Sequence, residues 1–137
     1  MRSNGRAGEE AARIWFGRHG WHMTKTEPAV KNLGPVFGKA GQFRAVYTAS
    51  GTPDFLGYAL VDRCGHGATI PYFRAVEVKE AHGDSWPASK LTLAQRTFMA
   101  ALPAGCAHVY ILWDDGGAGE MYPFTARGSY KRGQGVK

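Results

Sequence analysis

The sequence predicts a single α/β domain in which a β-sheet packs against helices. Its 137 residues, 44% of them hydrophobic, suffice for one core and leave no room for two ordinary domains. Aromatic and β-branched runs share the chain with segments of helical periodicity, and many of the 19 glycines mark turns between them. We therefore expect one domain of many short elements over residues 1–126, followed by a flexible basic tail, 127–137.

The first part of the chain predicts one helix and several strands. The helix extends from about Gly8 to His19, since its apolar residues form one face and Gly20 stops it. A Gly/Pro-rich excursion, residues 34–41, interrupts the strands that follow. We expect the three strands after this excursion to form one contiguous meander that carries the acidic residues. The strand-like segments are 21–31, 42–47, 55–61 and 70–79.

A second helix and two further strands complete the pattern. After a loop, residues 80–89, the helix covers about 92–102 with an apolar stripe that includes Gln95. Two interpretations of Gln95 stay open: it caps the helix in a capping box with Thr92, or it binds a polar partner at the sheet. The last strands, 108–113 and 121–124, are joined by a glycine-containing turn at 114–117.

Acidic residues and a lysine lie on neighbouring predicted strands. Glu77 and Lys79 are two residues apart and therefore share one strand face, while the valines between and before them point to the other. A hairpin through residues 64–67 would bring Asp54 beside Glu77. Two adjacent carboxylates repel each other unless a cation neutralises them, and Mg²⁺ suits such a pair. The alternative is an ordinary solvated Glu-x-Lys pair, but the apolar flanks of both strands favour a metal-assisted hydrolytic site.

The chain carries a formal charge of +6, with basic residues concentrated towards both ends. Such an excess attracts phosphate backbones, although it equally serves solubility or an anionic lipid surface. The tail from Arg127 to Lys137 is basic and glycine-rich, so we expect it to be disordered until it meets a polyanion, with Tyr130 available for stacking. The candidate DNA-binding residues are Arg2, Arg6, Lys31, Lys39, Arg44, Arg127, Lys131 and Arg132.

Membrane, disulfide and zinc chemistry find little support in the sequence. No apolar run is long enough to span a bilayer and the amino terminus lacks a signal-peptide pattern, so we expect a soluble, cytoplasmic protein. Cys64 and Cys106 are expected to be free thiols. The segment from Cys64 to His66 lacks a second Cys/His cluster at zinc spacing and indicates a hairpin turn instead.

Three motifs in this order resemble the PD-(D/E)XK nuclease superfamily, and within it the recombination protein U group of Holliday junction resolvases. They are residues 51–57 (GTPDFLG), 76–80 (VEVKE) and 91–95 (LTLAQ), with a looser match at Asn4-Gly5-Arg6 and Glu9. The Ser85-Trp86-Pro87 segment is also similar to the group, so the likeness extends over about residues 4–124. The resemblance implies a restriction-endonuclease-like core with a central mixed sheet flanked by helices.

The resemblance also implies an activity and a role for each matching residue. It implies a homodimer that nicks opposing strands of a four-way DNA junction with Mg²⁺, or Mn²⁺ as a substitute. Asp54 and Glu77 would bind the metal, with Thr52 shaping the site and Glu9 as an accessory ligand. Lys79 would assist the attacking water, and Gln95 would orient Lys79 or that water. The stretch 31–44 occupies the place of a protrusion that enters the junction in relatives, although it is shorter and glycine-rich here.

Two other functions are compatible with the same residues. A related repair or phage nuclease that acts on flaps, ends or duplex sites would carry the same motifs. A DNA-binding module without catalysis is the alternative from another class, and the intact Asp54, Glu77 and Lys79 argue against it. The homodimer is expected because two matched cuts require two sites related by a twofold axis.

Overall fold

The structure is a computed structural model that describes residues 5–26, 29–32, 43–46, 51–62, 69–113 and 118–137. Within these ranges it contains two α-helices, a short 3₁₀ helix at Ala88–Lys90, and nine strands. The helices are α1 (Arg6–His19) and α2 (Leu93–Ala100). The strands are β1 (Trp21–Lys25), β2 (Ala29–Asn32), β3 (Phe43–Val46), β4 (Phe55–Asp62), β5 (Thr69–Ala81), β6 (Ser85–Pro87), β7 (Ala107–Trp113), β8 (Gly119–Pro123) and β9 (Ser129–Lys131).

A five-stranded mixed sheet in the order β1-β4-β5-β7-β8 forms the centre of the fold. β5 and β7 pair in parallel, and all other neighbours in this sheet are antiparallel. The parallel pair is possible because α2 lies in the connection between its two strands. The predicted α/β class, with a mixed sheet flanked by helices, is confirmed at this level.

Two apolar clusters cover the two faces of the sheet. On one face, Trp15 and Phe16 of α1 pack with residues of the central strands, among them Val76 and Val78. On the other face, Met99 of α2 joins side chains from β7, β8 and the segment that leads into the helix. Alternation along β5 places the two valines towards α1, so Glu77 between them and Lys79 after them face α2. The face covered by α2 therefore carries Glu77 and Lys79.

The expected three-strand meander is wrong in one of its strands. β3 pairs with β2 in a separate two-stranded sheet, whereas β1 is the strand that pairs with β4. The predicted continuous strand 21–31 is correspondingly divided into β1 and β2. The hairpin of β4 with β5 is present as expected, and its turn at 64–67 lies outside the described residues. The Gly/Pro-rich excursion and the turn at 114–117 also lie outside them.

The segment predicted as a loop, 80–89, contains regular structure. β5 continues to Ala81, and β6 pairs with β9 in a second small antiparallel sheet. This pairing places Trp86 opposite Tyr130, and both side chains are buried. Their burial explains why a short strand forms in a segment without a strand-like pattern.

The expectation of a flexible tail is also corrected by the structure. Residues 129–131 form β9, and Val136 bridges Met121 through two backbone hydrogen bonds of 2.9 and 2.8 Å. Tyr130 is 3% exposed, so it is part of the core and not free to stack on a ligand. Composition alone suggested disorder, but the few apolar residues in this segment find specific partners in the folded domain.

Candidate active site

Asp54 lies immediately before β4, where three contacts fix its position. The Thr26 amide donates to the Asp54 carbonyl at 2.8 Å, and the Thr26 hydroxyl donates to the Pro53 carbonyl at 2.5 Å. On the other side, Asp54 Oδ2 accepts from the Val78 amide at 2.9 Å. The residue that follows β1 therefore holds the backbone at Asp54, and β5 holds its carboxylate.

Glu77 lies in the central strand β5 and is only 4% exposed. Its Oε2 accepts from Gln95 Nε2 at 3.0 Å and lies 3.2 Å from Lys79 Nζ. Its Oε1 is buried and has no hydrogen-bond partner among the described residues. An unpartnered carboxylate oxygen is costly in the interior, so this atom is available for a ligand.

Gln95 performs both of the roles that the sequence left open. Its side-chain Oε1 accepts from the Thr92 backbone amide, and its backbone amide donates to the Thr92 hydroxyl, each at 3.0 Å. The capping box is therefore complete. The remaining group, Nε2, donates to Glu77. One side chain thus caps α2 and ties the helix to the central carboxylate.

Burial and neighbouring charges shift the pKa values of both carboxylates. Burial, reinforced by the neighbouring Asp54, raises the pKa of Glu77 to about 7, and the Lys79 ammonium only partly offsets this. Burial also raises the pKa of Asp54; the Val78 amide opposes that rise, while Glu9 adds to it. Two neighbouring carboxylates repel each other when both are ionised, and a bound cation would relieve that repulsion.

A pocket of about 360 Å³ opens beside the pair. It is lined by Gly5, Glu9, Asp54, Glu77, Val78, Lys79 and Glu80. Glu9 enters from α1 and lies 3.3 Å from Lys25 Nζ, so its carboxylate already has a cationic partner. Thr52 is half-buried two residues before Asp54 and is not part of this lining.

The donor set fits a hard divalent cation. Mg²⁺ is commonly held by one or two carboxylates and retains several waters. Asp54 and Glu77 supply two carboxylates, and Glu77 Oε1 is a ligand atom without a hydrogen-bond partner in the described structure. Among the described residues no group of three His, Cys, Asp or Glu side chains is arranged to enclose a metal. A site here would therefore depend on the Asp54–Glu77 pair and on water.

The predicted DNA-binding residues that the structure describes lie on separate segments of the chain. Arg6 is exposed at the start of α1 near the pocket, while Arg127 and Lys131 are exposed and Arg132 is half-buried in the carboxy-terminal segment. Lys31 and Arg44 are register partners in the β2–β3 hairpin. Arg2 and Lys39 lie outside the described residues.

No helix within the described ranges is long and apolar enough to cross a membrane.

Three contributors to the site were not identified from the sequence. Thr26 orients the backbone at Asp54, and Glu80 Oε2 accepts from the Gly8 amide at 2.9 Å, which docks the start of α1 beside the pocket. A Cβ on Gly8 would lie 3.0 Å from a Val78 methyl, so glycine permits this close approach. Each contact depends on pairing between segments that are distant in sequence, so no local sequence pattern predicts it.

Comparison with known proteins gives no matching family model, curated protein or solved structure. The functional argument for this chain therefore rests on its own residues and their geometry.

Proposed function

We propose that this protein is a metal-dependent, structure-specific endodeoxyribonuclease with a restriction-endonuclease-like core. Its substrate would be a four-way DNA junction, resolved by paired nicks through phosphodiester hydrolysis. The supporting observation is the convergence of Asp54, Glu77 and Lys79 on one pocket, with Glu77 Oε1 buried and unpartnered. The order of the three sequence motifs supports the same assignment.

Each side chain would contribute a distinct function. Asp54 and Glu77 would hold the cation. When bound, it would supply positive charge and lower the pKa of a water that can attack phosphorus. Lys79 would position the attacking water or neutralise the charge that develops on the phosphate. Gln95 would hold Glu77 through its Nε2 while its other atoms cap α2. The bond between phosphorus and the leaving oxygen would break as the water oxygen bonds to phosphorus; that water would release one proton to solvent, and the leaving oxygen would take one up to become a hydroxyl.

The quaternary proposal follows from the substrate. Two matched nicks in a junction require two active sites related by a twofold axis, so we propose a homodimer. The net charge of +6 supports binding to a polyanion, and the exposed Arg6, Arg127 and Lys131 are candidates for phosphate contacts.

The test incubates purified protein with Mg²⁺ and, separately, a labelled four-way junction, a matched duplex and a flapped DNA. Paired symmetric nicks in the junction alone are expected. Asp54→Asn and Glu77→Gln should retain junction binding and lose cutting, whereas Glu10→Gln, which changes an exposed acid on α1 outside the pocket lining, serves as the matched control.

The other outcomes separate the alternatives. Cutting of flap or duplex in place of the junction would keep the nuclease site and overturn the junction assignment. Binding without any cutting, under Mg²⁺ or Mn²⁺, would favour a DNA-binding module. Cutting that persists unchanged in Asp54→Asn would sink the assignment of the site.

A further inference from the structure

Three aromatic side chains form a row across the sheet, on the same face as the candidate active site. His22, Tyr58 and Phe73 are successive register partners on β1, β4 and β5. The rings of His22 and Tyr58 are stacked, with centroids 4.9 Å apart and an interplanar angle of 22°. Tyr58 is 41% exposed and Phe73 is 40% exposed, so the row presents its rings to solvent.

The row lies on the same face of the sheet as the candidate carboxylates. Phe73 and Glu77 are four residues apart on β5 and therefore point to the same side of the strand, separated by about 13 Å along it. Leu60, 53% exposed and paired with Pro71, extends the apolar strip away from the site. α2 covers the Glu77 end of this face, while the aromatic end remains exposed in the described structure.

Exposed aromatic rows on a sheet are suited to stacking of unpaired nucleobases. Every base has a π-face, so stacking tolerates sequence and adds to the electrostatic attraction of a basic protein for phosphate. A second copy of the chain fits less well, because a stable interface uses about 20–30 residues on each side and the described part of this strip has only a few exposed side chains. The chemistry of the row therefore favours single-stranded nucleic acid.

We propose that His22, Tyr58 and Phe73 form a base-stacking platform that binds unpaired nucleotides next to the cleavage site. The platform deepens the proposed function and rests on it for its biological substrate: DNA in which bases beside the scissile phosphate are unstacked, as at a branch point. Tyr58 and Phe73 supply the exposed ring faces, and His22 supports Tyr58 from the neighbouring strand.

The test measures binding by the full chain in metal-free buffer, so that cutting does not interfere. The probes are a dye-labelled oligothymidylate and an abasic oligonucleotide of the same length and charge, followed by fluorescence anisotropy. The protein should bind the base-bearing probe about tenfold more tightly than the abasic one. Tyr58→Ala and Phe73→Ala should each remove most of that preference while leaving abasic binding unchanged, and Tyr58→Phe should keep it.

The matched control is Ile14→Ala, which shortens a 62% exposed apolar side chain on α1, the helix that covers the opposite face. It should leave both affinities unchanged. Circular dichroism melts show that each variant is folded, and sedimentation velocity gives its oligomeric state. A variant that changes self-association but retains base preference would overturn the platform in favour of an interface between copies.

The remaining outcomes distinguish this inference from the nuclease proposal. Equal binding of both probes by the unmodified protein, or unchanged preference in both alanine variants, overturns the platform even if Asp54→Asn abolishes cutting. Conversely, base preference that depends on Tyr58 and Phe73, in a protein that cuts no DNA, would support the platform and overturn the nuclease proposal.

Discussion

Two buried glutamates show how environment decides what the same side chain does. Glu77 is buried beside another carboxylate, and one of its oxygens lacks a partner in the described structure. Glu120 is equally buried but accepts from the Tyr122 hydroxyl at 2.7 Å and from the amides of Gly133 and Gly135. Burial opposes ionisation of Glu120, yet these hydrogen bonds outweigh it and lower its pKa. Glu120 is satisfied by the fold, whereas Glu77 retains an oxygen without a hydrogen-bond partner in the described structure.

This contrast predicts opposite effects of two matched substitutions on metal-free stability. Because the folded-state pKa of Glu77 is raised from 4.5 to about 7, its ionisation disfavours folding progressively as pH rises through that window. Glu77→Gln should therefore raise the free energy of unfolding at pH 8, by at most about 3 kcal/mol, and have little effect near pH 4.5. Glu120→Gln should lower it at pH 8 by about 1–3 kcal/mol, since an amide NH₂ would face amide donors.

Urea unfolding in EDTA at several pH values measures both effects. The raised pKa of Glu77 would be contradicted if the free energy of unfolding of the unmodified protein rose from pH 5 to pH 8 and Glu77→Gln did not change that pH dependence. Glu120→Gln tests whether the method detects a structural carboxylate in the same protein.

Gln95 gives a second prediction at the residue scale, because its cap and its bond to Glu77 can be separated. Thr92→Ala removes the hydroxyl that accepts from the Gln95 amide, whereas Gln95→Ala also removes the donor to Glu77. Both variants should lose about 0.5–2 kcal/mol of stability through the cap. Only Gln95→Ala should in addition lower Mg²⁺ affinity or the cleavage rate, by roughly 10–100-fold.

Calorimetric Mg²⁺ titration and single-turnover cutting provide the readouts for this pair. Equal loss of metal affinity in Thr92→Ala and Gln95→Ala would mean that helix stability, and not the bond to Glu77, controls the site.

At the scale of elements, the loop bearing Asp54 docks directly on the start of α2. Gly51 has a φ of +83° and its α-carbon faces the Ala94 carbonyl and the Gln95 amide. A Cβ there would collide with the Ala94 backbone and lie 2.7 Å from the Gln95 nitrogen. The absence of a side chain at Gly51 thus brings two of the motifs together.

Gly51→Ala should accordingly be more disruptive than a glycine substitution with the same backbone strain alone. Gly128 is the matched control, since its φ is +79° and nothing lies within 4 Å of an added Cβ. Gly128→Ala should cost about 1–2 kcal/mol through the left-handed conformation. Gly51→Ala should cost more and also weaken Mg²⁺ binding, measured by melts with and without Mg²⁺. Equal costs with unchanged metal response would separate Gly51 from the site.

The elements of this fold were predictable where the pattern is local. The alternation that puts Val76 and Val78 opposite Glu77 and Lys79 is a property of any strand, and the capping box of Thr92 and Gln95 is readable from four residues. Strand partners were not predictable in the same way, since β3 was expected in the central sheet but pairs with β2 in a separate two-stranded sheet. Pairing depends on which distant segments meet, as the contacts of Thr26 with Asp54 illustrate.

At the scale of the whole molecule, the carboxy-terminal segment joins parts of the domain that are distant in sequence. The Val136 carbonyl accepts from Trp15 Nε1 of α1 at 3.0 Å, and the Val136 backbone pairs with Met121 of β8. Just before Val136, the Gly133 and Gly135 amides donate to the buried Glu120. The basic residues of this segment are therefore carried on a structural element and not on a free tail.

The final prediction follows from that arrangement and separates structure from charge. Removal of residues 129–137 would expose the surface that Tyr130 covers and leave Glu120 buried without its two amide donors, so it should abolish cooperative unfolding or lower stability by several kcal/mol. Replacing the exposed Arg127 and Lys137 by glutamine removes two charges and should leave the melting temperature unchanged. The double variant should instead reduce the salt dependence of DNA binding by up to about two counterions. A truncated chain that melts like the full one would show that the segment's contacts contribute nothing to the fold, and its basic residues would then act as a tail.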